Sequence, residues 1–430
     1  MFTKLRLHNF KIWKETNDIS LAPVTLLLGA NSSGKSSLIQ SFLLLRQTAL
    51  SPDAGVTLHF GNGDAQESVQ LGQFEDVLCK HGDDKEIEIE FRWGQTSRPE
   101  DTRVYVARYK KTKGGAAALK SVRLEDDGES YWATLGRHNA YSIKLGSERN
   151  KRGASPQYKP ERSVMFPPAA RTKLGEHGSR VGKIGLSLID ELRRISYLGP
   201  IRQIPRRDYG WSGNMPVTVG DRGERTADAL IASQYLAGNP GENGELIENV
   251  SEWLKRMGLA ENILVKRLGR SARHEILLEV NGEHTNLRDV GIGVSQVLPV
   301  ITAAYIAQPG AIIIVEEPES HLHPMSQALL AELFVEASVN QGIQFIIETH
   351  SEHLLRRLQT LVAKEEVEPT KVNMYFVERD GVNASMKDLE LDEYGRIGEW
   401  PDKFFGDTTE EVKEQAKLAI QRRKRDEKSS

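Results

Sequence analysis

The chain opens on alternating apolar and polar positions, Phe2, Leu5, Leu7 and Phe10 set among Lys, Arg, His and Asn, which predicts a strand over residues 2–9. Residues 19–28 end in an apolar run before a Gly-rich turn and predict a second strand. Leu38, Phe42, Leu43 and Leu45 then suit a helix from Lys35 to about Leu45. Alternating stretches follow at 56–60, 86–93, 103–110, 120–125, 131–135 and 141–145, so the region from about 51 to 146 predicts an antiparallel lobe. Residues 147–182, rich in Ser, Gly, Pro, Lys and Arg and without a period, predict a flexible loop. A helix near 184–194, a short strand and turn over 195–202, helices near 225–237 and 243–257 and a hairpin over 263–280 come next. From residue 289 the pattern is α/β: helix 292–307, buried strand 311–315, helix 324–337, strand 344–347, helix 351–363 and strand 372–378, before a charged tail from about 408. No internal repeat and no sustained heptad is present, which excludes a long coiled coil between these parts.

Composition narrows the class. With 430 residues, 39% hydrophobic and 27% charged, the chain can bury a sizeable core as an ordinary globular protein. The formal net charge of −3 argues against a uniformly basic nucleic-acid coat, but residues 101–183 hold 18 Lys and Arg against eight Asp and Glu. That segment reads either as a contact to DNA phosphates or as a solvated surface loop. A single cysteine, Cys79, excludes a disulfide framework and fits a reducing, cytoplasmic setting. No stretch approaches the ~20 apolar residues of a membrane span, and the N-terminus lacks the apolar block of a signal peptide.

The first chemical signal is Gly29-Ala30-Asn31-Ser32-Ser33-Gly34-Lys35-Ser36, a full match to the P-loop pattern, followed by Ser37. It follows an apolar strand and opens a helix, the arrangement in which backbone N–H groups and a helix N-terminus cradle phosphates. Lys35 is expected to reach the β- and γ-phosphates of ATP, and the Ser36 hydroxyl to ligate Mg²⁺.

A second signal lies almost three hundred residues on. Ile312-Ile-Ile-Val315 leads directly into Glu316 and Glu317, and burying a strand that ends in two carboxylates is costly unless they meet a cation. Glu316 is assigned to Mg²⁺, directly or through water, and Glu317 to the general base for the attacking water. Phe345-Ile-Ile-Glu-Thr-His350 places a histidine at the end of another apolar strand, where it could sense the γ-phosphate. His321 and His323 have metal-ligand spacing but read better as structural.

In order and spacing, Leu5-Arg-Leu-His-Asn-Phe10-Lys11, the P-loop, Glu316-Glu-Pro-Glu-Ser-His-Leu-His323-Pro324 and Glu348-Thr-His350-Ser351 resemble ABC-type ATPases of the SMC/RecF/OLD-nuclease branch. The closing stretch from Leu391 to Phe405, with Trp400-Pro and Phe404-Phe405, resembles the short C-terminal module of a bacterial subgroup of stand-alone ATPases. Between the two catalytic parts only Leu198-Gly-Pro-Ile-Arg202 matches. The resemblance implies an α/β fold: a P-loop NTPase head of ABC type with an antiparallel β lobe and an inserted helical and loop region. The corresponding division is an N-terminal lobe 1–100, an insert 101–262, a C-terminal ATPase lobe 263–390 and a tail module 391–430.

It further implies that Gly291-Ile-Gly293-Val-Ser295-Gln296 is the signature loop contacting ATP held by an opposite subunit, so that ATP joins a head-to-tail dimer. The serine here follows the glycines, unlike the usual L-S-G-G-Q, which leaves open whether Ser295 or backbone alone makes the contact. The D-loop falls at Glu319-Ser-His-Leu322, and Gln73 is preferred over Gln70 as the Q-loop glutamine. Function is then expected to be Mg²⁺-dependent ATP hydrolysis that regulates a DNA-acting effector in antiphage defence, as in Gabija-, Septu- or PARIS-like systems. No nuclease signature is present in this chain, so the nuclease or other effector is expected on a separate one. A RecF-like repair clamp and, less favoured, a transporter's energising subunit are the alternatives, although no membrane contact is expected.

Overall fold

The computed structural model describes residues 1–64, 67–82, 84–94, 102–146, 152–236, 245–400 and 417. The N-terminal strands are β1 (Phe2–Phe10), β2 (Trp13–Glu15), β3 (Ile19–Ser20) and β4 (Val24–Gly29), followed by helices α1 (Lys35–Ala49) and α2 (Phe74–Val77). A run of strands follows: β5 (Glu86–Trp93), β6 (Arg103–Lys111), β7 (Ala117–Asp126), β8 (Glu129–Leu135), β9 (Tyr141–Leu145) and β10 (Gly153–Ser155). Helices α3 (Pro168–Lys173) and α4 (His177–Arg193) lead to strands β11 (Ile195–Leu198) and β12 (Tyr209–Gly210), then to α5 (Thr226–Leu236) and α6 (Leu246–Arg256). Strands β13 (Asn262–Arg267), β14 (Arg273–Val280) and β15 (Glu283–Asn286) precede the α/β part. That part comprises α7 (Ile292–Ile306), β16 (Ile312–Glu316), α8 (Pro324–Gln341), β17 (Gln344–Glu348), α9 (Glu352–Ala363), β18 (Val372–Asp380) and β19 (Asn383–Asp388).

Among the described residues these strands form three sheets. The six-stranded one runs β11-β16-β17-β4-β18-β19 and is parallel except for the edge pair β18–β19. Its inner strands read as unbroken apolar runs because helices or the other sheet cover both faces. Alternation survives in the packing: Leu27, Ile312, Ile314 and Ile346 join one core cluster, whereas Leu26, Leu28, Ile313, Val315, Phe345 and Ile347 join the other. On the first face, α1 packs under the nine-stranded antiparallel sheet β10-β9-β8-β7-β6-β5-β1-β2, to which β3 adds by pairing with β1. Phe42 of α1 meets Phe2 and Phe91 of that sheet with ring centroids 5.3 and 4.7 Å apart. On the second face, α5 to α9 share a core with the small sheet β12-β14-β13 and β15. No described helix is long and apolar enough to cross a membrane.

Three sequence expectations need correcting. Residues 19–28 are two strands, because Pro23 offers no N–H and the chain changes sheets there, β3 pairing with β1 and β4 with β17 and β18. Residues 56–60 form no strand: the His59 N–H donates to Thr48 Oγ1 and its carbonyl accepts from Gln47 Nε2, so α1 side chains replace a neighbouring strand. Residues 152–182, expected as flexible loop, are anchored, with Val164, Phe166, Ala170, Leu174 and Val181 buried and Ser163 Oγ donating to the Thr57 carbonyl at 2.6 Å. Their apolar residues are too irregularly spaced to signal burial by periodicity. Residues 147–151, including Lys151, and the Pro401–Phe405 part of the closing motif lie outside the described residues, as does the expected tail apart from Lys417. The antiparallel sheet runs across residue 100, since β5 pairs with β6 along its whole length.

Candidate nucleotide and metal site

The P-loop leaves β4 at Gly29 and enters α1 at Lys35. Its backbone admits only glycine at two points. Gly29 has φ 140° and a Cβ there would stand 2.0 Å from the Val377 carbonyl oxygen; Gly34 has φ 119° with the Ile12 side chain 2.8 Å from that position. The Trp13 indole donates to the Gly34 carbonyl at 3.1 Å, tying the loop to β2. A cavity of ≈ 330 Å³ opens over residues 32–37 and is also lined by Lys11, Gln40, Glu348 and Arg379. The Lys35 ammonium, buried at the floor, donates to the carbonyls of Gly29 and Ala30 at 3.1 and 2.9 Å. Burial lowers its pKa, and the Glu348 carboxylate, 3.6 Å away, opposes the shift.

Three parallel strands deliver the acidic and imidazole groups to the same end. Glu316 closes β16 and Glu348 closes β17, and the two are register partners on adjacent strands. Both are buried. Glu316 accepts from the Tyr197 hydroxyl of β11 at 2.7 Å, and burial together with the neighbouring Glu348 pushes its carboxyl up to about 7. Burial also raises Glu348, against the pull of Lys35 and of the Ser36 hydroxyl, which donates to its Oε1 at 3.1 Å.

Glu317 sits in the left-handed region at φ 46°, a strained conformation for a residue with a side chain. Surrounding bonds hold it there. Its N–H donates to the Glu348 carbonyl at 2.8 Å, and the buried Arg202 guanidinium donates to the carbonyls of Glu316 and Glu317 at 2.9 and 3.2 Å. Its carboxylate accepts from Ser320 Oγ at 3.1 Å. Burial lowers Arg202 to about 10, with Glu319, Glu317 and Glu316 opposing. The backbone N–H of His350 donates to Glu319 Oε1 at 2.6 Å, which joins the expected D-loop to the end of β17. Burial and Lys35 depress the His350 imidazole, while Glu317 and a bond to the Gly29 backbone work the other way.

The structure therefore gathers Lys35, Ser36, Glu316, Glu317 and His350 at one edge of the parallel sheet. It does not bring there the candidates outside the P-loop, the acidic pair and His350. Gln73 is exposed and begins α2, its N–H donating to Asp76 Oδ2, whereas Gln40 is the glutamine that lines the P-loop cavity. Gly291, Gly293 and Ser295 line no part of that cavity. Ser295 is buried and donates to the Ile292 carbonyl at 2.7 Å, so its hydroxyl is turned into its own helix. Gly293 packs close, a Cβ falling 2.7 Å from the His321 carbonyl oxygen, while Gly291 faces open space. The His323 ring accepts from the Met325 N–H at the start of α8, a capping role. Sequence reading overlooked Glu348, Tyr197 and Arg202 as site residues. Glu348 carries the same signal as Glu316, a carboxylate ending an apolar strand, and could have been found by it.

Among the described residues no group of three or more His, Cys, Asp or Glu side chains could hold a metal by itself. The donors at this site are Ser36 Oγ and the carboxylates of Glu316 and Glu348, all oxygen, and Glu348 Oε2 is buried without a partner. That set fits Mg²⁺, which takes one or two carboxylates and completes its shell with water and nucleotide phosphate oxygens.

A family model described as "AAA domain, putative AbiEii toxin, Type IV TA system" matches residues 24–356, and one described as "Protein of unknown function (DUF3696)" matches residues 367–415. No curated protein matches. Among solved structures, the chain is similar to an Smc head bound to the C-winged helix domain of ScpA, at 14% identity and TM-score 0.49, covering 91% of this chain and 98% of that one. An SMC head domain from Thermotoga maritima gives 12% identity and TM-score 0.42, covering 90% and 99%. An Smc head domain with an extended coiled coil, bound to the C-terminal domain of ScpA derived from Pyrococcus furiosus, gives 12% and 0.43, covering 91% and 96%.

Proposed function

The chain belongs to the family described as "AAA domain, putative AbiEii toxin, Type IV TA system", and from that premise we propose a Mg²⁺-dependent ATPase that closes as an ATP-sandwiched head-to-tail dimer. The carrying observation is the convergence of Lys35, Ser36, Glu316, Glu317 and His350 on one end of β4, β16 and β17. Buried carboxylates left short of counter-charge beside a P-loop are costly to a fold and useful to phosphoryl transfer.

Each group has a definite task. Lys35 turns from the Gly29 and Ala30 carbonyls to the β- and γ-phosphate oxygens, exchanging two backbone acceptors for charged ones. Ser36 and Glu316 would hold Mg²⁺, which would supply positive charge against the phosphate oxygens. Glu317, oriented by its left-handed backbone and by Ser320, takes the proton of the attacking water. His350, kept neutral at pH 7 by its depressed pKa, donates or accepts a hydrogen bond at the γ-phosphate without adding charge.

The partner half-site is the N-terminus of α7 on a second copy, where Gly291 stands open and backbone rather than the Ser295 hydroxyl meets the triphosphate. The family description supports a role in a toxin system; a defence role with a nuclease or other DNA-acting effector on a separate chain extends that reading. Direct DNA contact through residues 101–183 rests on fewer cations than the sequence count suggests. Arg103, Arg108, Lys111, Lys120, Arg123 and Arg180 each pair with a carboxylate, while Lys110 and Lys113 at the β6 end and Arg137, Lys173 and Lys183 farther along are exposed. Stimulation of turnover by DNA and co-purification of a nuclease would separate this reading from a repair clamp and from a transporter subunit.

The decisive variant is Glu317→Gln. It keeps the shape, removes the base and lowers turnover by at least about 100-fold, while ATP still binds and the chain accumulates as a larger ATP-dependent species on a sizing column. Gly291→Asp, which has room for a side chain and is a good helix N-cap, dissolves that species by facing the triphosphate with an anion. Normal hydrolysis by Glu317→Gln, or assembly indifferent to ATP and to Gly291→Asp, would sink the reading.

A further inference from the structure

Where a P-loop serine and an acidic residue hold Mg²⁺ together, the carboxylate hydrogen-bonded to that serine lies beside the metal position. Here that residue is not at the end of the Glu316 strand. The Ser36 hydroxyl donates to Glu348 Oε1 at 3.1 Å, whereas Glu316 accepts from Tyr197 on the far side, at 2.7 Å. The topology explains the difference. Strand β17 lies between β16 and β4, so Glu348 stands one strand spacing, roughly 4.8 Å, nearer the P-loop than its register partner Glu316.

We propose that Glu348 is a metal-site carboxylate of this protein, accepting a hydrogen bond from the Ser36 hydroxyl and sharing the Mg²⁺ shell with Glu316, so that the cation is held by two strand ends instead of one. The inference rests on the ATPase reading above and adds a residue role to it. Charge counting supports it. Glu348 is 5% exposed and its Oε2 has no hydrogen-bond partner, while Glu316 is 7% exposed beside it. Against these two carboxylates stand the Lys35 ammonium, 3.6 Å from Glu348 Oε1, and the buried Arg202 guanidinium, whose hydrogen bonds go to the backbone carbonyls of Glu316 and Glu317 and not to either carboxylate. Once Lys35 turns to phosphate, Glu348 loses its nearest counter-charge, and a buried anion without one is strongly disfavoured. A divalent cation would restore the balance at the point where Ser36 Oγ, its O–H donating to Glu348, presents a lone pair. The competing role for Glu348 is that of a simple anchor for Lys35, which needs no metal.

Metal affinity distinguishes the two roles without reference to turnover. Mn²⁺ serves as the probe, read by electron paramagnetic resonance in the presence of the non-hydrolysable analogue adenylyl imidodiphosphate. Glu348→Gln is expected to weaken Mn²⁺ binding at least ~10-fold, the scale seen when partners around a metal are removed. Binding of the analogue without metal holds or tightens, because an anion has left the phosphate cavity. Glu348→Asp keeps the charge and should fall between parent and Glu348→Gln, which guards against an effect of misfolding. Mn²⁺ affinity within twofold of the parent in both variants overturns the proposal and leaves the anchor role. A parent chain that binds no analogue at all overturns the ATPase reading itself, and this inference with it.

Discussion

Across the antiparallel sheet, Lys120 reaches Glu86 at 2.6 Å, Arg123 reaches Glu125 at 2.9 Å and Arg103 reaches Asp126 at 3.2 Å. At the end of the parallel sheet, Glu316 and Glu348 lie side by side with only Lys35 between two carboxylates and the P-loop. The first set consists of partly exposed side chains that water would solvate anyway, so each pair contributes little and can be read as surface structure. The second set is buried, short of cations and set at the ends of strands whose apolar runs fix its position. Its burial is a standing cost in the absence of ligand, which a bound cation offsets. Charge count alone therefore misleads: the 18 basic residues of 101–183 outnumber those of the P-loop region, yet the proposed chemistry sits where the charges are few and buried.

The contrast can be broken at several points. The largest effect is expected from Lys35→Ala, which removes the one ammonium at the floor of the cavity. Turnover should fall by roughly 10³-fold, the upper end for deletion of a charge-stabilising donor, with circular dichroism unchanged. Activity persisting in a folded Lys35→Ala chain would place the chemistry elsewhere. Next comes Arg202→Met, which leaves the carbonyls of Glu316 and Glu317 without their guanidinium. Loss of that support should let the left-handed turn at Glu317 relax and reduce kcat by ~10-fold or more with little change in KM for ATP. A change in KM alone would mean that Arg202 acts on binding.

A smaller and different signal is the pH dependence of stability. The Glu316 carboxyl is raised from its ordinary 4.5 to about 7 by burial and by Glu348, so its contribution is fully present below 4.5 and is lost as pH rises through about 7. The nucleotide-free chain should thus melt lower at pH 8.5 than at pH 6.5, by about 1 °C, and Glu316→Gln should flatten the trend. His350 does not mask it: its pKa is lowered from 6.5, so its contribution is complete above 6.5 and fades only on further acidification. A parent whose melting temperature rises over that window contradicts the burial of two carboxylates without a cation. The smallest effect belongs to the other sheet. Lys120→Ala should cost at most about 1 kcal/mol of stability and leave ATP turnover unchanged, and a larger loss would show that the cross-strand pairs hold more than surface order.

How far the sequence reaches differs between these regions for the same reason. The P-loop was legible because its function is local: Gly29 and Gly34 are demanded by backbone angles within a few residues, and Lys35 and Ser36 follow at fixed spacing. The runs 312–315 and 345–347 were legible because strands buried on both faces are continuously apolar. The alternation of β5 to β9 was legible because one face of that sheet stays wet. Residues 56–60 and 152–182 were misread where burial comes from distant side chains such as Gln47 and Thr48 rather than from a repeating neighbour. Periodicity reports which residues leave water but is silent on what they meet. Thus residue type and order by themselves determined a nucleotide cradle, the buried strands and the acidic strand end. Only the tertiary structure decided that β17 inserts between β16 and β4, which sets Glu348 against Ser36 and Lys35 and turns Glu316 toward Tyr197. Strand order is a property of the whole packed sheet, chosen by which faces the helices and the second sheet can cover, and no local run of residues encodes it.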